Sequence, residues 1–372
     1  MAIASLQKAR NARKTGAAPL LRDSLAAARA ARLHYVGADE PGIQRVKKGS
    51  RFEYALATGA KVKRATDLAR IASLAIPPAW RDVWICKHPN GHLQATGIDA
   101  RGRKQYRYHA RWREVRDEAK YHDILHFAEE LPLLRRRIRR DFVGPSLTKQ
   151  KVVATILKIM ERTAIRVGND RYAATNQSYG LTTLLDRHAK ISQGTVSFHF
   201  RGKGGKTYRA SIRDKKLAAI VKRCRDIPGQ RLFQYRGDDG AFHPITSSDV
   251  NQYIQDATGH PFTAKEFRTW TATVSAMVLL NGYPPCKSQT EGKRLILKAV
   301  DDVAKELGNT RAICKKCYVH PTVFDAYLKG TLHGLYARCR RSGKTRPGLD
   351  ADECTVLSFF RRFETDVQRL AS

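Results

Sequence analysis

The chain has 372 residues, enough for two domains with separate apolar cores, and its 42% hydrophobic content is that of a folded protein rather than a disordered one. Lys and Arg number 69 against 34 Asp and Glu, a formal charge of +35, and self-repulsion on that scale implies a polyanionic partner. No amphipathic anchor or lipidation motif accompanies the charge, and no apolar run approaches the roughly 18 residues that span a bilayer, so the partner is read as nucleic acid rather than membrane. Seven scattered cysteines, an odd number, do not make a secreted disulfide framework, and a reducing, cytoplasmic setting is expected.

Residues 1–33 are rich in Ala and Arg, with Asp23 the only carboxylate, and read as a basic flexible arm; an organellar transit peptide has the same composition. Residues 34–110 read as a β-rich domain. Arg51–Leu56 and Lys61–Lys63 flank Ala-Thr-Gly-Ala as a hairpin, a short helix Asp67–Leu74 follows a Thr66 cap, and Asp82–Cys86, His92–Gly97 and Gln105–Tyr108 are short strands between turns. From about residue 111 the texture turns helical. Trp112–Phe127 is long and charged, and Arg135–Arg140 reads as a solvated helix face or a DNA-facing one. Thr148 caps a helix with Val152, Val153, Ile156, Ile159 and Met160 on one face.

Val196, Phe198 and Phe200 alternate with polar residues, and Gly202-Lys203-Gly204-Gly205-Lys206 turns the chain into a second strand, Thr207–Ile212. Helices are expected at Asp214–Cys224, Ser248–Ala257, Ala264–Leu280 and Glu291–Leu307, the last ended by Gly308. Residues 111–330 thus form a larger, mainly helical domain with one β-hairpin, and 331–372 a basic C-terminal extension ending in a helical stretch, Val356–Leu370. The fold class is α+β.

Cutting a phosphodiester with a protein side chain requires a nucleophile, fixed cations where charge grows on the non-bridging oxygens, and an acid for the departing sugar oxygen. The chain supplies such a set in order: Thr163-Ala164-Ile165-Arg166-Val167-Gly168-Asn169, the turn Arg201-Gly202-Lys203, Ala264-Lys265-Glu266-Phe267-Arg268-Thr269-Trp270, and Leu307-Gly308-Asn309 with Tyr318 nine residues on. With Ile76-Pro77-Pro78-Ala79-Trp80 and Gly180-Leu181-Thr182-Thr183-Leu184, these segments resemble the poxvirus-like and bacterial type IB DNA topoisomerases from about Leu33 to Gly330.

That resemblance implies a catalytic domain of the tyrosine recombinase and type IB topoisomerase type. It implies an enzyme that relaxes supercoiled duplex DNA through a 3′-phosphotyrosine on Tyr318, with swivelling and religation, without ATP, metal or other cofactor. Arg166 and Arg268 would clamp the scissile phosphate, Lys203 would be the general acid with Lys206 its rival on the same turn, and Asn309 would donate to a non-bridging oxygen. In the β-rich domain, Arg103-Lys104-Gln105-Tyr106-Arg107-Tyr108 matches the family's Gln-Tyr-x-Tyr strand, so Lys104, Gln105, Tyr106 and Tyr108 would contact DNA, as would Lys265. An edge strand packing its tyrosines on the core accounts for the same pattern. The two domains would close as a clamp around one duplex, and a monomer is expected.

A tyrosine recombinase shares the covalent tyrosine, but this chain has Lys265 where that family usually has His, and its N-terminal domain is β-rich rather than helical. A non-enzymatic DNA-coating protein would explain the charge and leave the constellation to chance. Cys314-Lys-Lys-Cys317 has no second CxxC or His pair at zinc spacing and reads as structural.

Overall fold

The computed structural model of the chain describes residues 24–342 and 345–369. Most of the expected basic arm, residues 1–23, lies outside them. Contacts divide the chain into two compact units, one running to Asp123 and the other starting at Ile124.

The first unit opens with helix α1 (Ser24–Ala30), so residues 24–33 are not a loose arm: Ala27, Ala28, Ala31 and Leu33 are buried against Trp112. Alanines carry no side-chain entropy to lose and let the backbone lie close to the indole. Strands β1 (Ile43–Lys48) and β2 (Arg51–Leu56), helix α2 (Ala65–Ser73), and strands β3 (Arg81–Ile85), β4 (Leu93–Ile98) and β5 (Lys104–Tyr108) follow. They build an antiparallel sheet in the order β2-β1-β3-β4-β5.

The hairpin expected between Arg51–Leu56 and Lys61–Lys63 is replaced by β1–β2, turned at Gly49 with φ +63°; Lys61 makes only a bridge to Ala55. Ile-Gln-Arg-Val-Lys-Lys hides its period because only Ile43 is buried. Helix α2 begins earlier than expected, with Arg64 rather than Thr66 at its cap and no side-chain cap bond. Arg45 holds the Pro77–Trp80 bend by donating to the carbonyls of Pro77 at 3.1 Å and Trp80 at 2.6 Å. The core beneath the sheet is Ile43, Val62, Ile71, Val83, Ile85 and Ala95.

Helix α3 (Ala110–Phe142) runs through the division between the units and far beyond the expected Trp112–Phe127. Pro132 lies inside it and forfeits one backbone bond, but Leu131, Leu134, Ile138 and Phe142 are buried around it and hold the helix together. Arg135 is not solvated: it donates to Glu161 and Glu353.

Helix α4 (Lys149–Thr163), capped by Thr148, is the centre of the second unit. Besides the five expected residues it buries Ala154, Thr155 and Leu157, the mark of a helix surrounded on nearly all sides. Helix α5 (Asp170–Asn176) precedes a three-stranded antiparallel sheet of β6 (Ala189–Ser192), β7 (Thr195–Arg201) and β8 (Thr207–Arg213), in which β7–β8 is the expected hairpin and β6 an additional strand. Then come α6 (Lys215–Arg225), the small pair β9 (Gln234–Arg236) and β10 (Phe242–Pro244), α7 (Ser247–Thr258), α8 (Ala264–Gly282), α9 (Gln289–Glu306), α10 (Arg311–Cys317), α11 (Pro321–Leu328), α12 (Leu332–Arg341) and α13 (Ala351–Arg369).

The last two helices overturn the idea of a C-terminal extension. Leu332, Leu335, Tyr336 and Cys339 of α12 and Val356, Leu357, Phe359 and Phe360 of α13 belong to the main core of this unit. Among the described residues no helix is long and apolar enough to cross a membrane. The architecture is α+β, a small sheet-bearing unit followed by a larger helical one.

Candidate active site

Helix α4 ends where Ala164 turns left-handed, with φ 50°, and the chain leaves in an extended path through Arg166. That path is fixed by Gly180–Thr182: Leu181 N–H donates to the Arg166 carbonyl at 2.9 Å and Thr182 N–H to that of Val167 at 2.7 Å. A Cβ on Gly180 would stand 2.6 Å from the Arg166 carbonyl oxygen, so the approach requires glycine. The Gly180-Leu181-Thr182 motif therefore works as the support of Arg166. From there Arg166 Nη1 donates to the Tyr208 hydroxyl at 2.6 Å and Nη2 donates to Asn309 Oδ1.

Arg268 lies one turn into α8, behind a Thr263/Glu266 capping box, and is only 3% exposed. Its guanidinium donates to the carbonyls of Ala164 and, at 2.8 Å, Leu307, and its Cζ is 5.3 Å from the centre of the Tyr318 ring. Asn309 follows the C-terminus of α9, where Gly308 adopts φ +58° and a Cβ would fall 2.0 Å from the Tyr208 hydroxyl. Leu307-Gly308-Asn309 is thus a helix stop that lets Tyr208 pack against backbone while Asn309 turns inward. Two buried donors here have no protein partner, Arg268 Nε and Asn309 Nδ2.

Tyr318 ends α10, its N–H bonded to Cys314 O at 3.0 Å and its carbonyl accepting from Thr273 Oγ1 at 3.2 Å. Thr273 shares α8 with Arg268, so one helix positions both the phenol and a cation beside it. Burial alone would push the Tyr318 phenol up. The charges of Arg268 and Arg166, a hydrogen bond from Arg268 and the charge of Lys203 outweigh it and hold the phenol below the ordinary tyrosine value. Arg268 is itself lowered, first by burial and then by the charge of Arg166.

On the hairpin turn, Lys206 Nζ donates to the Asn309 carbonyl at 2.7 Å, while Lys203 is exposed. Arg166, Arg268 and Asn309 are thus linked as cations and donors beside the Tyr318 phenol, and Lys203, exposed on the turn, reaches that phenol only through its charge. Among the described residues neither Arg166 nor Arg268 has a carboxylate partner. An unbalanced buried guanidinium is costly, and the arrangement suits an anion approaching Tyr318.

Two residues escaped the sequence reading. Tyr208 accepts from Arg166 and donates to the Leu307 carbonyl at 2.5 Å, and Thr273 holds the backbone at Tyr318 and His320. The alternation in β8 put Tyr208 on the buried face with Ile212, which was the available signal. Cys314 is buried in the core and burial pushes its thiol up to about 11; among the described residues no third metal-ligating side chain joins it and Cys317.

In the first unit, Lys104, Tyr106 and Tyr108 share one face of β5, the sheet's edge strand. The rings of Tyr106 and Tyr108 stack at 6.0 Å and Tyr106 is exposed. Tyr108 is half-buried against Trp112, Val36 and Leu93, nearer the core reading than a DNA-facing one. Gln105, on the other face, donates to Asp99 at 2.8 Å; hydrogen bonds from Arg103 hold that carboxyl down at about 2. Lys265 is exposed in the first turn of α8.

Residues 109–337 match the family described as "Eukaryotic DNA topoisomerase I, catalytic core", and residues 51–99 that described as "Bacterial DNA topoisomerase IB, N-terminal domain". DNA topoisomerase 1B of Acanthamoeba polyphaga mimivirus is 33% identical over 293 residues, covering 77% of this chain and 87% of the viral protein. DNA topoisomerase I of Monkeypox virus is 22% identical over 62% of this chain and 71% of its own. DNA topoisomerase 1 of Mycosarcoma maydis is 24% identical over 41% of this chain but only 17% of its own length. These likenesses favour neither the recombinase nor the DNA-coating alternative. The chain belongs to the type IB DNA topoisomerases, isomerases whose substrate is DNA.

Proposed function

We propose that Tyr318 cuts one DNA strand, and that this chain relaxes supercoiled duplex DNA as a monomer in the cytoplasm, without ATP or metal. The observation that carries the assignment is the position of the Tyr318 ring, 5.3 Å from the Arg268 guanidinium carbon, with its phenol held below its usual pKa by Arg268 and Arg166, neither of which has a carboxylate partner among the described residues. The phenol loses its proton to solvent and its oxygen attacks the scissile phosphorus. The bond from phosphorus to the 5′-oxygen breaks, and the 3′-phosphate becomes a phosphotyrosine. Arg166, Arg268 and the unpartnered Nδ2 of Asn309 stabilise the charge growing on the non-bridging oxygens.

Lys203 delivers the proton to the departing 5′-oxygen. Lys206 is tied to the Asn309 carbonyl, whereas among the described residues no such bond holds the Lys203 ammonium. While the tyrosine holds the strand, the duplex swivels about the uncut one. The 5′-hydroxyl then attacks the phosphotyrosine and restores both the phosphodiester and Tyr318. No ATP is needed, because the energy of one ester bond is kept in the other. Lys104, Tyr106 and Lys265, with Gln105 once it exchanges Asp99 for a base edge, contact the duplex away from the cut, and Tyr108 backs the Tyr106 ring.

The test is relaxation of supercoiled plasmid in EDTA without ATP, by wild type and by Tyr318→Phe. Relaxation by the wild type alone supports the reading. Relaxation by both would remove Tyr318 from the mechanism, and relaxation by neither would reject topoisomerase activity without a metal.

A further inference from the structure

We propose that His126, Glu130 and His260 form a transition-metal site that pins the turn between α7 and α8 to the long helix α3. His126 and Glu130 are one turn apart on α3, so their side chains emerge on the same face. His260 comes from the turn just before α8. One ligand atom from each residue, two ring nitrogens and a carboxylate oxygen, lies within 4.8 Å of the others. A zinc ion bound at about 2.0–2.2 Å requires only a modest closing of that triangle. Two imidazoles and a carboxylate suit Zn²⁺ or its neighbours Co²⁺, Ni²⁺ and Cu²⁺ rather than Mg²⁺ or Ca²⁺, which prefer all-oxygen sets.

The site is built before any metal arrives. The rings of His126 and His260 meet at 4.2 Å and 66°, and each stands 5.5 Å from the ring of Phe262. Phe262 is 1% exposed and lies edge-on to Phe127 at 5.4 Å, so the two imidazoles rest on an apolar floor. The backbone of His260 is fixed as well. Gly259, at φ +69°, ends α7; His260 N–H donates to Thr258 Oγ1 at 3.3 Å; and its carbonyl accepts from Phe262 N–H at 2.8 Å. All three ligating residues are partly buried, which shields a bound ion from solvent without closing off its entry.

The position gives the ion a purpose. Three residues after His260, Thr263 caps α8, and Phe267, which packs on Phe127 at 5.0 Å, immediately precedes Arg268. A metal joining α3 to this turn stiffens the seat of Arg268 without touching the chemistry at Tyr318. The ion is therefore a stabilising clip, and strand cleavage proceeds without it.

The experiment uses the full chain, stripped with chelator and dialysed, then titrated with Zn²⁺ by calorimetry and with Co²⁺ by visible absorption. One ion per chain is expected, with Co²⁺ bands of a nitrogen–oxygen site and a rise in melting temperature on adding Zn²⁺. His126→Ala and His260→Ala should each weaken binding by at least about 100-fold, beyond the roughly 10–100-fold typical of losing an outer-shell partner. Glu130→Gln, nearly isosteric and so the safeguard against misfolding, should weaken it by about 10-fold or more. The double variant Cys314→Ser/Cys317→Ser should bind as wild type does, and the stripped protein should still relax plasmid. Absence of stoichiometric binding would overturn the proposal, as would binding that survives Glu130→Gln and both His substitutions, or binding that disappears with the cysteines.

Discussion

Arg135 and Arg268 are both drawn into the second unit, yet they find different company there. Arg135 donates from Nε to Glu161 at 2.7 Å and from its two terminal nitrogens to Glu353 at 2.6 and 3.0 Å; Glu353 also accepts from Trp270 Nε1 and the Asp350 N–H. Burial would lower the Arg135 guanidinium, but Glu353 and Glu161 more than reverse that and hold it above the ordinary value. Arg268 is more deeply buried and has two carbonyls, the Tyr318 ring and the like charge of Arg166. One cluster is complete and ties α3, α4 and α13 together. The other carries a positive charge that nothing in the described residues balances, with buried N–H groups still to be satisfied. Folding explains the first; only an incoming anion explains the second.

The difference is sharpest in a paired substitution. Arg268→Ala or Arg166→Ala should slow single-turnover strand cleavage about 100-fold or more, as for lost oxyanion donors, while the melting temperature holds or rises. Arg135→Ala strands two carboxylates and should cost about 3–5 kcal/mol in denaturant unfolding, with the cleavage rate kept at a temperature where the protein is folded. Reversed outcomes would break the comparison. Lys203→Ala should also slow cleavage about 100-fold. A 5′-bridging sulfur on the DNA, which leaves without a proton, should restore most of that loss, and Lys206→Ala should cost less and gain nothing from the sulfur.

A smaller effect lies in titration. Because the Tyr318 pKa is depressed in the folded protein, its phenolate fraction should climb at a pH below the ordinary value of about 10. Stability linked to this group is complete above the unfolded value and is lost as pH falls through the folded one. The ultraviolet difference titration of wild type minus Tyr318→Phe measures it, and Arg268→Gln should move the midpoint up. A midpoint at or above the ordinary value would detach the arginines from the phenol. The mildest contrast is ionic: DNA affinity should fall with a log–log slope of about −0.9 per phosphate neutralised, and Lys265→Ala should flatten it by about one phosphate where Glu353→Gln leaves it alone.

The candidate residues could be picked out because they sit in short motifs, and in two of these a glycine has backbone work to do: Gly308 and Gly180 make room for Tyr208 and Arg166. Tyr208 itself was passed over, since its role comes from contacts with residues far along the chain. Strand β1 was unreadable for a different reason: its basic residues bury a single side chain and show no alternation. The end of the chain misled through charge. Arg338, Arg340 and Arg341 suggested a basic extension, although Leu332, Leu335, Tyr336 and Cys339 recur at helical spacing and are buried. Arg135 was likewise read as one of a charged run, because nothing local marks Glu353, 218 residues away, as its partner.

The most direct test of the central claim is to stop the reaction on a labelled duplex with denaturant and map the protein–DNA adduct by peptide mass. The account predicts a single DNA strand joined through its 3′-phosphate to Tyr318, with a 5′-hydroxyl on the released strand. An adduct on another residue, or a link through a 5′-phosphate, would contradict it.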